Sequence, residues 1–188
     1  MSLEATVARL STELAALRAE ADIRRLIARY AYLCDTPLPV PRAQWRERVE
    51  MIVDLFTADA TWEGVGSFYD NQFGKSRGKD AIRAHFTAFF EPKENELVLN
   101  CHYITSEHIE VRGDEAEGSW VHFQPWIFAD GRSLLRSSRL FNAFKRVDGV
   151  WKMSRYRTEN VFIADLPEGW ASSIPEKSVL FAPGEAAA

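Results

Sequence analysis

Three two-residue signals, Gly113-Asp114, Asp130-Gly131 and Asp148-Gly149, cut the C-terminal half of the chain into long β-like runs. Such pairs supply the positive backbone angles that tight hairpin turns need. The runs are 97–105, 108–112, 115–128, 132–146 and 150–160, each rich in aromatic and β-branched residues. Strands joined by turns this short pair only with their chain neighbours, antiparallel, as a meander. The first ninety residues follow a helical period instead. Helices first and a long meander afterwards predict an α+β fold.

Within the helical half, Leu3, Val7, Leu10, Leu14 and Leu17 recur at alternating steps of four and three, flanked by charge. About two heptads are too few for a stable free coiled coil, so the stripe is expected to pack on its own domain or on a neighbouring subunit. Asp22 is placed to cap a second helix in which Ile23, Ile27, Tyr30 and Cys34 share a face, with Leu26 and Leu33 alongside. Pro37, Pro39 and Pro41 stop it. A helix over 42–56 follows, burying Trp45, Val49, Ile52, Val53 and Phe56; then a short strand over 60–64, a Gly- and Ser-rich loop over 64–78, and a helix over 79–90 that presents Ile82, His85, Phe86 and Phe89. From about Ala164 an extended or disordered tail is expected. The 188 residues therefore read as one domain: a helical extension over 1–21, a core over 22–163 and a tail over 164–188.

Composition excludes several partners. The formal net charge is −4, with basic residues scattered among acids rather than gathered on a face, which argues against nucleic acid. No apolar run has the length to span a membrane, and the charged first twenty residues are no signal peptide. Two cysteines, Cys34 and Cys101, form neither a metal spacing nor a disulfide framework, so the expected setting is the cytoplasm. There is no HExxH, paired CxxC, P-loop or GxGxxG after a strand, and hence no metal or cofactor is implied. The aromatic content of 12% is enough to line a cavity as well as fill a core.

An ordered set of segments carries a resemblance. Arg29-Tyr30 and Asp35 close one helix; DLFTADATWEG (54–64), GKDAIRAHF (78–86), His102 leading a strand, and FKRVDGVWKMSRY (144–156) follow in turn. Together, over about 22–160, they resemble the SnoaL-like branch of the nuclear transport factor 2-like superfamily. The resemblance implies a cone-shaped α+β barrel, a curved antiparallel sheet wrapped around N-terminal helices, with a deep pocket. Within the branch the sequence is most similar to scytalone dehydratase and the bile-acid 7α-dehydratases, which are cofactor-independent lyases and homo-oligomers, typically trimers. Tyr30, Asp35 and His102 fall at the matching catalytic positions. Where scytalone dehydratase has a second His on the next strand this chain has Trp126, and the Asp of the bile-acid enzymes is also missing. His122, four residues earlier and of the same parity, is the substitute at a different depth.

Read on their own chemistry, these residues form an acid–base set. His102 supplies the base, an imidazole being the side chain suited to that task near neutral pH; Asp35 accepts from its other ring nitrogen; Tyr30 donates to a substrate oxygen. Asp35 reaches the pocket only if its helix ends there. Alternation puts Asn100, His102 and Ile104 on one face, and Trp120, His122, Gln124 and Trp126 on one face of the next strand. A face holding both His and Gln suits a polar-lined pocket or a wet interface better than a dry core. Arg136, Ser138 and Leu140 follow on the strand beyond, where Arg136 either binds a substrate anion or makes a surface salt bridge. Trp62, Phe68, Tyr69 and Phe73 flank the loop and frame a pocket mouth or pack as aromatic core. Cys34 reads as a buried spectator thiol, and His85 and His108 as helix-face and strand-surface residues.

The expected activity is a dehydratase-like lyase on a hydrophobic aromatic, polycyclic or steroid-like metabolite, in a dimer or trimer of this chain. Alternatives are a C–C lyase or isomerase using the same base, or a non-catalytic dioxygenase β subunit or small-molecule-binding module.

Overall fold

The first helix, α1 (Leu3–Cys34), is a single helix where the sequence predicts two. No glycine or proline interrupts 17–22, and Asp22 does not cap; its carboxylate instead pairs with Arg25 one turn on, at 2.7 Å. The cap is Ser2, whose Oγ accepts from the Ala5 N–H at 3.2 Å. The computed structural model describes residues 2–36, 44–66 and 73–174. The three prolines expected to stop α1 lie outside those residues.

After α1 come α2 (Trp45–Asp54), β1 (Phe56–Val65), β2 (Lys75–Arg77), α3 (Gly78–Phe90), β3 (Leu97–Asn100), β4 (Tyr103–Arg112), β5 (Glu115–Phe128), β6 (Ser133–Val147) and β7 (Val150–Asp165). Two expectations shift. Phe56, read as the end of a helix, opens β1 and is fully buried there. The tail expected from Ala164 begins as the end of β7 and a 3-10 turn at Ala171–Ser173; residues 175–188 lie outside the described part.

The seven strands form one sheet in the order β2-β1-β7-β6-β5-β3, with β4 also paired to β5. Every pairing is antiparallel except β1 with β7. The sheet curls strongly around the helices into a half-barrel, the cone-shaped α+β form the sequence predicts. Ile23, Ile27, Tyr30 and Leu33 of α1 meet Ile52 of α2, Ile82 and Phe86 of α3, and the inward residues of β1, β6 and β7 in one core. No described helix is long and apolar enough to cross a membrane.

One irregularity positions the site. The run 97–105 is not a single strand: β3 ends at Asn100 and β4 starts at Tyr103. Asn100 stands opposite Trp126 and Tyr103 opposite Phe123, so the same register places Cys101 opposite Pro125. Proline has no N–H for the ladder, and the edge pairing lapses there. The backbone N–H of His102 is thereby released for another acceptor.

Candidate active site

That acceptor is Asp35. α1 ends at Cys34, and its cap residue Asp35 takes an extended conformation (φ −74, ψ 151) that turns the carboxylate toward the strand break. Asp35 Oδ1 accepts from the His102 backbone N–H at 2.9 Å and meets the ring Nδ1 at 2.6 Å. An ionised carboxylate only accepts, so Nδ1 carries the proton and Nε2 is left with its lone pair. A two-residue ladder stitches the same point: Thr36 N–H to Asn100 C=O at 2.8 Å, and Asn100 N–H to Thr36 C=O at 2.9 Å. The Asn100 amide donates to the Cys34 carbonyl at 2.9 Å. From α2, Arg48 donates to the carbonyls of Leu33 and Asp35, closing the C-terminal end of α1.

His102 Nε2 faces a cavity of about 60 Å³. Its walls come from every layer: Tyr30 and Cys34 of α1, Trp62 of β1, His85 and Phe89 of α3, His122, Gln124 and Trp126 of β5, Arg136 of β6, and Tyr156 of β7. Asp35 stands behind His102, and both line an outer groove between α1 and β4 of about 370 Å³. The predicted Tyr30, His102, His122, Gln124, Trp126, Trp62 and Arg136 thus surround one cavity, with Asp35 bonded to His102 from outside it. Phe68 and Tyr69 lie outside the described residues.

The polar wall is a network. Asn100 Oδ1 accepts from Gln124 Nε2 and, at 2.9 Å, from Trp126 Nε1. Gln124 Nε2 also lies 3.3 Å from His102 Nε2. The His122 ring stacks on His102, centroids 4.8 Å apart and 9° from parallel. His122 Nε2 is buried and has no hydrogen-bond partner among the described residues. Arg136 is only 1% exposed, so it is buried rather than at the surface; its guanidinium lies 3.7 Å above the Trp126 ring. Tyr30 Oη accepts from Trp62 Nε1 at 2.9 Å.

Burial sets the protonation states. It pushes the Tyr30 phenol well above its ordinary value, with Cys34 and Tyr156 adding to the effect. Burial likewise pushes the Cys34 thiol up to about 12, so it is no nucleophile. His122 is held well below the ordinary imidazole range by burial first, then by His102 and Arg136 nearby. His85 is pushed down to about 4 by burial alone.

Residues 15–157 match the SnoaL-like domain. The chain belongs to the SnoaL-like family. Solved structures of similar shape include a candidate aromatic ring hydroxylase from Novosphingobium aromaticivorans (23% identity, TM-score 0.64, covering 80% of this chain and 94% of that one). A candidate scytalone dehydratase from the same organism shares 18% identity at TM-score 0.62, covering 80% and 89%. The hexachlorocyclohexane dehydrochlorinase LinA-type3 of Novosphingobium barchaimii shares 18% at TM-score 0.60, covering 80% and 91%. Likeness at this identity carries the SnoaL-like fold and not the activity. No curated protein matches the chain in sequence.

Three site residues of this SnoaL-like chain were not singled out from sequence. His85, read as a helix-face residue, stacks on Trp62 at the cavity wall, centroids 4.1 Å apart. Asn100 was visible only as a polar residue sharing parity with His102. Arg48 gave one signal: an arginine within the apolar stripe of Trp45, Val49 and Ile52. Among the described residues no group of His, Cys, Asp and Glu could hold a metal ion.

Proposed function

We propose that the protein is an acid–base lyase of the dehydratase kind, acting on a compact hydrophobic substrate that carries an acidified C–H and a leaving hydroxyl. The observation that carries the reading is the 2.6 Å contact of Asp35 with His102 Nδ1, which leaves Nε2 as a base facing an aromatic-walled cavity. In the proposed reaction Nε2 takes the proton next to a carbonyl or conjugated system. The C–H electron pair becomes the new double bond, and the hydroxyl leaves from the neighbouring carbon.

The leaving oxygen needs a proton. Burial disfavours ionisation of Tyr30 and keeps His122 neutral, so neither is a ready acid at pH 7. Both act as hydrogen-bonding groups, and the imidazolium of His102 returns the proton it took, releasing water. Asp35 stabilises that imidazolium from behind. The aromatic walls suit a flat, apolar substrate. Supporting the reaction class, the structural neighbours include a dehydrochlorinase and a candidate dehydratase, both named for eliminations.

The test is a panel of aryl and alicyclic β-hydroxy carbonyl compounds, followed by the ultraviolet absorbance of the conjugated product. Turnover is expected in the native protein. It should be lost in His102→Asn and lowered by about 10²–10⁴ in Asp35→Asn, with both variants folded by circular dichroism. Undiminished turnover in His102→Asn would remove His102 as the base, whereas ligand binding with no native turnover across the panel, its affinity intact in His102→Asn, would instead favour a binding module.

A further inference from the structure

The leucine stripe of the N-terminal extension has no partner within its own described domain. Leu3, Val7, Leu10, Leu14 and Leu17 are between 47% and 80% exposed. At about 100° per residue, they centre roughly 160° around α1 from the face that buries Ile23, Leu26, Tyr30 and Leu33. The helix cannot lay both faces on one domain. The family match begins only at residue 15, so most of the stripe is an addition to the common fold.

We propose that this stripe pairs with the same stripe of a second copy of this chain, as a parallel two-stranded coiled coil. Val7 and Leu14 take the a positions and Leu3, Leu10 and Leu17 the d positions; leucine at d and valine at a suit two strands. The flanking charges choose the partner and its direction. In a parallel pair Glu13 at g meets Arg18 at e of the other copy, an attraction formed twice across the dimer axis. Two heptads alone would be marginal, but here they continue a helix whose second half is already fixed in the core. The cost of helix nucleation is therefore already met.

Sedimentation velocity over a hundredfold range of concentration, on the full chain, reads the result. The native protein is expected to pass from one to two chains per particle. Leu10→Lys with Leu14→Lys should stay monomeric, with unchanged circular dichroism away from the stripe. Glu13→Arg alone should weaken association at least several-fold, and Glu13→Arg with Arg18→Glu should restore it. A native protein that is monomeric throughout leaves the stripe to another kind of partner and overturns the proposal. So does an assembly whose mass is untouched by the lysine pair. Failure of the charge exchange to restore association overturns the parallel arrangement.

Discussion

His85 and His122 are histidines the fold keeps uncharged, and this has a measurable cost in acid. Burial holds His85 at about 4, against an ordinary value of 6.5. Between those values the unfolded chain binds a proton that the folded chain does not. Stability therefore rises with pH across the window and falls as pH drops from 6.5 toward 4. At about 1.4 kcal/mol per pH unit, His85 alone contributes a loss on the order of 2–3 kcal/mol by pH 4. His122, also depressed, adds in the same direction. His85→Phe should keep the aromatic packing against Trp62 and remove one proton's worth of slope. Urea unfolding from pH 7 to pH 4 checks it; equal slopes in the variant and the native protein would show that His85 is not held neutral.

At the scale of elements, the site depends on how one helix ends. α1 has no basic residue in its last turn, and the closing donor comes from Arg48 on α2. The Arg48 guanidinium also lies 4.2 Å above the Phe90 ring, tying α2 to the end of α3. Burial lowers its pKa, but a guanidinium stays charged at neutral pH. Arg48→Met leaves two carbonyls without their donor and should cost about 1–3 kcal/mol. It should also lower kcat, because Asp35 loses the contact that holds its backbone. Arg48→Lys should recover only part of both, since one ammonium cannot reproduce the fork to two oxygens. Stability and kcat measured on the two variants decide it; native values in Arg48→Met would show that the helix end holds without the clamp.

The same elements show what the sequence makes legible. Parity alone placed His122, Gln124 and Trp126 on one face, because a strand alternates regardless of what covers it. The meander was readable from its three turns. The break at His102 was not, since it depends on Pro125 standing opposite Cys101, and that pairing exists only once the register is known. The single helix α1 was missed because Asp22 has the chemistry of a cap, while nothing in the preceding residues ends the helix before it. His85 and Arg48 escaped for a shared reason: their roles come from neighbours distant in the chain, Trp62 for one and the end of α1 for the other.

Over the whole molecule, α1 joins two regions of very different support. Its residues 19–34 are held by core contacts and by the ladder between Thr36 and Asn100. Residues 3–18 are almost entirely exposed, and a bare helix of that length is marginal in water. The three long strands β5, β6 and β7 pair along most of their length, and β1 closes on β7 from the far end of the sequence. Those pairings break together only in global unfolding. Native-state hydrogen exchange should then divide α1. In dilute solution, amides of 3–16 should open at about 0–1 kcal/mol, while those of β5–β7 should open near the global value, typically 5–15 kcal/mol. Raising the concentration should slow exchange most in 3–16, because a self-association through the stripe supports that stretch directly. Strong protection along all of α1 at the lowest concentration would mean that its own domain already supports the extension.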